Sequence, residues 1–563
     1  MTGCVCYSER PQQPRYYSEE QKGDSTMRLA LTVLFVSGLV LASSTAAWAT
    51  LEGHEVSIGD PYAACVGIGA APQFGAENYP NTEPEVWGAK NPANPDNFIG
   101  AIQQDRWNDG GDKGLVAGWS FDDGYHWGET ALPFSLCAAP YYGGAVLPTE
   151  RASDPWVDVG VDGEAYSVSI SFDENTFKNG VGAATSTDGG VTWHNQKFID
   201  FNADVGPLTS FDDKESVTAD PTVAGSAYVV WDQLRFFISA SCPRNAETDI
   251  RAAQRSGGSD PVVCFTGPAM FSKTTDGGVT WSPPMPIAST PAAEQTISNQ
   301  IVIDPRTGRL YDFYEYILAS GALQIRMVFS DDKGATWSPQ QIVVPDHHPV
   351  GIHDPQTGAP ARTGDIIPEP AIDRATGQLY VAFQDTRFNT FGEDDVLLTT
   401  SVASGLTGTW TAPLRVNLPE DRAGFTPGIK VNNFGQLGID YYSLRHPDLG
   451  PDVWPVERYI RDTSGPVTVS GTPPVATVAF NTPTHVAGPF NMLAAPFAGG
   501  YFVGDYESMT IDRDGRSFHT FYSATNCDDV NCTAPFNPTG APMPSKAPHD
   551  PMDVYTAAYF KKG

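Results

Sequence analysis

Apolar residues recur along this chain in short alternating runs, and stripes with the period of a helix are hard to find. The runs are rich in aromatic and β-branched residues, the types that suit a pleated, half-buried strand. Turn pairs such as Asp-Pro and Asp-Gly separate them. "SDPWVDVGVDGEAYSVSISFD" (153–173), "ESVTADPTVAGSAYVVWDQLR" (215–235), "SNQIVIDPRTGRLYDFYEYI" (298–317) and "EPAIDRATGQLYVAFQDTR" (369–387) each spell a strand, a turn and a second strand. Looser copies occupy 83–107, 425–445 and 504–523. The pattern predicts an all-β chain.

A second phrase follows several of these openings: "SFDDGYHW" (120–127), "STDGGVTW" (186–193), "TTDGGVTW" (274–281) and "SDDKGATW" (330–337), with a degraded copy ending at Trp410. Its Asp suits hydrogen bonds from loop amides, its glycines permit positive φ in a tight hairpin, and its Trp buries a large ring between sheets. These roles are local and structural. Seven openings between 83 and 505 give a mean period of about 70 residues, long enough for roughly four strands each. A four-stranded sheet cannot bury both its faces alone, but several arranged around an axis bury them against each other. The expected architecture is a β-propeller of four-stranded blades, seven in number with six as the alternative. The last repeat, ending in "DVYTAAYF" (553–560), is short of a strand, which the segment near 52–68 could supply as a latch. Residues 50–563 are read as one propeller domain.

Composition agrees. Of 563 residues, 55 are Gly and 47 Pro, which favours many turns, and 40% are hydrophobic, enough for a sizeable core. The formal charge of −32 argues against a nucleic-acid partner, because an acidic surface repels phosphate. Met27 and Arg28 precede a 14-residue apolar run, 29–42, and "AWA" (47–49) follows. That is the form of a secretory signal peptide, and the run is short for a membrane span. Residues 1–49 are therefore set aside as upstream segment and signal (27–49), and the remainder is expected to be secreted, extracellular or periplasmic, with no stable membrane anchor. Six cysteines remain, an even number that suits disulfides in an exported chain. Cys242–Cys264 and Cys527–Cys532 are natural local pairs, leaving Cys65 with Cys137, one of fifteen connectivities that six cysteines allow.

The phrase Ser/Thr-x-Asp-x-Gly-x-Thr-Trp resembles the Asp-box, or bacterial neuraminidase repeat. The copy at 120–127 departs from it, with His126 where Thr is usual, and residues 401–410 lack the Asp. The resemblance covers roughly 83–560 and implies a sialidase-like propeller and an exo-sialidase type of activity on glycans. The early Arg-Ile-Pro motif usual in sialidases does not occur in 50–563, so catalytic residues are not carried over by motif and candidates come from topology.

In a blade the start of the first strand and the end of the second share one face, and the phrase with the Trp lies on the other. Residues of these kinds include Glu85, Asp105, Arg106, Asp154, Glu215, Arg235, Glu369, Arg387, Arg445, Asp505, Tyr506 and Glu507, with Arg362 and Asp365 in the loop entering the fifth blade. Arginines bind a sugar carboxylate bidentately. Arg235, Arg387 and Arg445 are the expected clamp, with Arg106 or Arg362 as substitutes. Tyr506, with Glu507 or Glu369 as base, is the candidate nucleophile, since a neutral tyrosine meets an oxocarbenium-like centre without repelling the substrate's carboxylate. Asp105 or Asp365 is the candidate general acid. Taken singly, each of these reads more readily as an ion pair or a core aromatic. "DHHPVGIHDP" (346–355) offers His347, His348, His353 and Asp354 as a possible calcium or transition-metal site, although no cofactor is otherwise expected. Three functions follow: a glycoside hydrolase for sialic acid or another acidic sugar, a non-catalytic propeller that binds a glycan or protein, and a lyase or metal-dependent hydrolase centred on the histidine loop.

Overall fold

The computed structural model describes residues 51, 53–71, 75–176, 178–203, 210–238, 263–402, 409–445, 453–526 and 551–560. Residues 1–49, expected from the sequence to be upstream segment and signal, and Cys242, Cys527 and Cys532 lie outside them.

Most of the described strands group into seven antiparallel units in chain order, the first two joined through the Asp112–Ala152 pair into one eight-stranded sheet. Ile352–His353 and Pro360–Arg362 with Tyr501–Phe502, and Thr468–Ser470 with Val475–Thr477, form two small sheets outside them. Unit 1 comprises Val86–Lys90, Phe98–Arg106, Asp112–Ser120 and Gly128–Ala131; unit 2 comprises Arg151–Val159, Ala165–Phe172, Asn179–Ser186 and His194–Asn202. Unit 3 has Ser210–Ala219, Ala227–Ile238, Ala269–Thr274 and Met285–Ala288, with Val263–Thr266 paired beside its second strand. Unit 4 has Gln295–Asp304, Arg309–Ile317, Leu323–Ser330 and Gln341–His347; unit 5 has Glu369–Ile372, Leu379–Asp385, Asp395–Thr400 and Leu414–Arg415. Unit 6 has Gly424–Val431, Leu437–Ser443, Pro455–Asp462 and Thr484–Asn491. Unit 7 has Ser508–Ile511, Phe518–Thr525 and Met552–Tyr559, and its fourth strand is Gly53–Glu55, paired with Tyr555–Ala557 from the far end of the chain.

The first strands contact one another in a closed cycle, each with its sequence neighbour and unit 7 with unit 1. That ring of four-stranded sheets is a β-propeller. Between units, three of the phrase tryptophans pack against a phenylalanine of the preceding unit. Trp337 lies 5.2 Å from Phe271, Trp410 5.9 Å from Phe313, and Trp127 6.0 Å from Phe521 across the closure. Large rings wedge one sheet against the next, and this packing is what each unit lacks alone.

The phrase is a self-contained hairpin. In 186–193, Asp188 accepts from the Ser186 hydroxyl (2.9 Å), the Thr192 amide (2.9 Å) and the Thr192 hydroxyl (2.6 Å), while Trp193 donates to the Gly190 carbonyl (3.0 Å). The carboxylate bonds repeat around Asp276 and Asp332. In the divergent copy His126 Nδ1 stands 2.5 Å from Asp122, filling the place of the threonine hydroxyl. These carboxylates are spent on their own turns, at the end of the sheets opposite the starts of the first strands.

Cys65 and Cys137 form a disulfide with a Cα–Cα separation of 5.5 Å, tying the segment after the Gly53–Glu55 strand to unit 1.

Candidate functional site

The first strands do not run straight to the axis. Pairing with the second strand jumps between Ser153 and Trp156, Asp213 and Ser216, Ile297 and Gln300, and Phe425 and Gly428. Inside each jump one residue has a left-handed backbone: Asp154 (φ 55°), Lys214 (φ 48°), Ser298 (φ 65°) and Thr426 (φ 44°); Glu85 (φ 58°) does the same just before unit 1. A bulge of this kind re-aims a side chain at a local cost, and its recurrence at the same end of successive units marks that end as built for something.

The re-aimed side chains meet. Lys214 Nζ lies 2.7 Å from Asp154 Oδ2, 2.8 Å from Asp505 Oδ2 and 3.8 Å from Glu85 Oε1. Asp505 also takes a two-pronged contact from Arg362, whose Nε stands 2.8 Å away. Arg362 reaches the axis because Pro360–Arg362 pairs in parallel with Tyr501–Phe502, joining the loops that enter units 5 and 7. Units 1, 2, 3 and 7 and the unit 5 loop thus share one charged cluster.

Burial there acts unequally on the acids. It would raise Asp505, but the Arg362 and Lys214 charges hold that carboxylate far below its ordinary range. Lys214 likewise outweighs burial at Asp154 and lowers it. Burial prevails at Glu85, pushed up to about 8. It prevails further at Glu215, helped by the Asp154 charge, and raises that carboxyl well above the usual range.

Glu215, 1% exposed, lines a narrow recess with Trp156, Lys214, Ser298, Asn299 and Tyr506. Among the described residues, neither Glu215 carboxyl oxygen, nor Ser298 Oγ, nor Asn299 Oδ1 has a hydrogen-bond partner. The recess has room for little more than a water molecule. Its wall is aromatic: Trp156 stacks on Trp87 at 3.5 Å and lies 5.0 Å from Tyr506.

The residues singled out from the sequence divide between this cluster and other places. Arg362 belongs to it. Arg106 adjoins it, bonding Gln103 (3.3 Å) and Ser153 (3.5 Å) and pairing with Asp112 at 3.5 Å; both Arg106 and Arg362 lie 4.7 Å from the centre of the Phe502 ring. Tyr506 donates its hydroxyl to the Pro155 carbonyl (2.9 Å), and burial, then the surrounding Glu85, Asp154 and Glu215, push the phenol well above its normal range. Glu507 pairs with a different tyrosine: it accepts from the Tyr442 hydroxyl (2.8 Å) and the Ser523 amide (3.1 Å), and burial lifts it to about 8. Glu369 accepts from Gln300 (3.1 Å) and is also raised to about 8 by burial. Asp105 is bound by Lys113 Nζ (2.5 Å) and the Asn81 amide (2.7 Å), and Asp365 is raised by burial.

The other three arginines are each engaged near their own unit. Arg387 is held two-pronged by Asp385 (2.7 and 2.6 Å), Arg445 by Asp421 (2.7 and 3.2 Å), and exposed Arg235 by Gln233 (2.7 Å). The histidines of 346–355 also have separate partners. His347 uses both ring nitrogens, on Glu315 (2.9 Å) and the Gln384 carbonyl (2.7 Å); His348 pairs with Asp346, and His353 lies 3.5 Å from Glu393. Asp354 closes its own turn through Gln356 and Thr357.

Lys214 is the member of the cluster that the sequence reading did not single out; Glu85, Asp154, Glu215 and Asp505 stand where first strands were expected to begin. Aligning the repeats on "WVDV", "SVTA", "QIVI" and "GIKV" would have placed Asp154, Lys214, Ser298 and Thr426 in one column, with one cation among them.

No family model matches the chain. Over 160 residues it is 31% identical to a sialidase of Micromonospora viridifaciens, a match covering 27% of this chain and 22% of that protein. The chain thus spans about a fifth of the length of that curated relative. Among solved structures it is similar to the K499G mutant of NanB sialidase from Streptococcus pneumoniae (8% identity, 86% of this chain and 94% of that one, TM-score 0.40). It is similar also to the Penicillium chrysogenum α-L-arabinanase complexed with arabinobiose (13% identity, 65% and 92%, TM-score 0.39). The Asp-box hairpins and the partial sialidase match place the chain's resemblance in the sialidase-like superfamily.

Proposed function

We propose that this protein is an exported, sialidase-like glycoside hydrolase that removes a terminal sialic acid or another acidic sugar from glycans at the axial face. The observation that carries the reading is the gathering of Asp154, Asp505, Glu85 and Glu215 around Lys214 and Arg362 at one end of the ring, where the two cations lower Asp154 and Asp505 and burial raises Glu215 and Glu85. Glycosidic cleavage needs one carboxyl that keeps its proton and one that has lost it. Glu215 would protonate the leaving oxygen, and Asp154 or Asp505 would face the positive charge that builds on the ring carbon. Arg362 and Arg106 are the guanidinium groups of this face, and to take a sugar carboxylate they would exchange it for Asp505 and Asp112. For Tyr506 to attack, its hydroxyl must leave the Pro155 carbonyl and pass its proton to one of the surrounding carboxylates. The test is hydrolysis of fluorogenic sialosides and uronides by the mature chain from about pH 4 to about pH 8. Turnover lost in Glu215→Gln supports the reading; no turnover of any acidic glycoside by folded protein rejects it.

The narrowness of the recess favours a second reading, a non-catalytic propeller that holds a glycan on this face. It expects glycan binding without turnover, unchanged by Glu215→Gln.

A further inference from the structure

The junction between consecutive units uses three recurring positions. The first is the acid closing the first strand: Asp220 in unit 3, Asp304 in unit 4, Asp373 in unit 5 and Asp512 in unit 7. The second lies on the second strand, paired with the residue two positions before that acid. It is Tyr166, Tyr228, Tyr311 and Tyr380 in units 2 to 5, and His519 in unit 7. The third is the fourth residue of the Asp-box hairpin in the following unit, Gly189, Gly277 or Lys333, and Asp123 in unit 1. Where unit 4 meets unit 3, the three positions form a neutralised set: Asp220 accepts from the Tyr228 hydroxyl (2.8 Å) and pairs with Lys333 Nζ (2.6 Å).

Where unit 1 meets unit 7 the chemistry is different. The cation is replaced by a carboxylate, Asp123, and the phenol by an imidazole, His519. All three residues are buried, and one ligating atom from each lies within 4.8 Å of the others. Asp123 holds its place with a left-handed backbone (φ 67°), a conformation that two of the four hairpins give to glycine. His519 is 3% exposed, and its Nδ1 has no hydrogen-bond partner among the described residues; neither has Asp123 Oδ1. Two basic groups stand nearby, Lys90 at 3.9 Å from Asp512 and Arg513 at 3.4 Å from Asp123. Against them are four carboxylates, because Asp96 and Asp514 join Asp123 and Asp512. Arg513 already has Asp96 as a second partner at 3.1 Å. The local balance is short of positive charge by about one divalent ion, and two carboxylates with a neutral imidazole are a donor set for zinc or a similar transition ion.

We infer that Asp123, Asp512 and His519 bind a divalent transition-metal ion that joins unit 1 to unit 7 at the closure of the ring. The ion does for this junction what Lys333 does for the junction of units 3 and 4. The inference is independent of the axial face and of any activity there.

The experiment uses the whole mature chain, stripped with EDTA and dialysed against Zn²⁺. Two variants restore the chemistry of the other junctions: Asp123→Lys imitates Lys333, and His519→Tyr imitates Tyr228. Wild type is expected to retain about one zinc per chain by elemental analysis, to show visible absorption with Co²⁺ in its place, and to melt at a higher temperature with metal than without. Each folded variant is expected to bind Zn²⁺ at least about 100-fold more weakly and to melt independently of metal. A wild type that retains no zinc, or a folded variant of either kind that retains as much as wild type, overturns the inference. Two variants of different chemistry keep it testable if one of them fails to fold.

Discussion

Replacing Lys214 by methionine keeps most of the stem that lies over the Tyr506 ring, with the nitrogen 5.7 Å from its centre, and removes the only charge. The ammonium is in contact with Asp154 and Asp505 and within 3.8 Å of Glu85, and its side chain is 10% exposed. Water therefore cannot take over its role. Asp505 would keep Arg362 at 2.8 Å, and Glu85 already sits at about 8, so near neutrality it is largely protonated. The loss thus falls mainly on Asp154. Leaving one buried carboxylate without its partner costs about 3–5 kcal/mol. The sign with pH follows from the directions of the shifts. In wild type, Asp154 and Asp505 are depressed, so their pairing stabilises the fold above about pH 4 and fades as pH falls through the depressed values. In the variant, burial acts on Asp154 with the Ser153 hydroxyl bond but no lysine against it, and raises it. The penalty is then largest near about pH 7.5 and shrinks toward about pH 5, where the carboxyl takes up a proton. Urea unfolding of both proteins at the two pH values measures this. A difference under about 1 kcal/mol near neutrality, or one that does not change with pH, would refute the account of the axial cluster.

Glu215→Gln should lower kcat by a factor of about 10²–10⁴ if Glu215 is the general acid, with the fold intact by circular dichroism. In the wild type, burial keeps this carboxyl protonated beyond the usual glutamate range, so the alkaline limb of the rate profile should lie above that range. Asp188→Ala removes the acceptor of three hydrogen bonds and should cost about 1–2 kcal/mol in denaturant titrations while leaving any turnover per folded molecule unchanged. Reduction of Cys65–Cys137, or its double replacement by serine, releases a 72-residue loop and should cost about 4 kcal/mol, read as a lower unfolding midpoint under non-reducing assay of the variant.

Much of the architecture was legible because a repeat repeats its physics. Aromatic and β-branched alternation, Asp-Gly turns and a terminal Trp recur with each unit, and each has one local role that a reader can assign without coordinates. The site was less legible. Arg387 and Arg445 sit at second-strand ends, as topology requires, yet both are taken by nearby acids, Asp385 and Asp421. Which partner an arginine finds depends on loop geometry that no periodicity encodes. Tyr506 and Glu507 are adjacent in the segment that enters Ser508–Ile511, yet Glu507 meets Tyr442 while Tyr506 meets Pro155. Lys214 was hidden by its neighbours, Asp213 and Glu215, which make it look like part of a solvated charge run. Only the bulge, a feature of pairing register, turns it onto the axis.

The pairing of Gly53–Glu55 with Tyr555–Ala557 also bears on how the molecule is made. A ribosome supplies the first partner of that ladder hundreds of residues before the second, so the circle cannot shut during synthesis. Until the final strand is delivered, two raw sheet borders stay open to pairing with other chains. A nascent polypeptide of this design gains from being kept unfolded until its whole length is free.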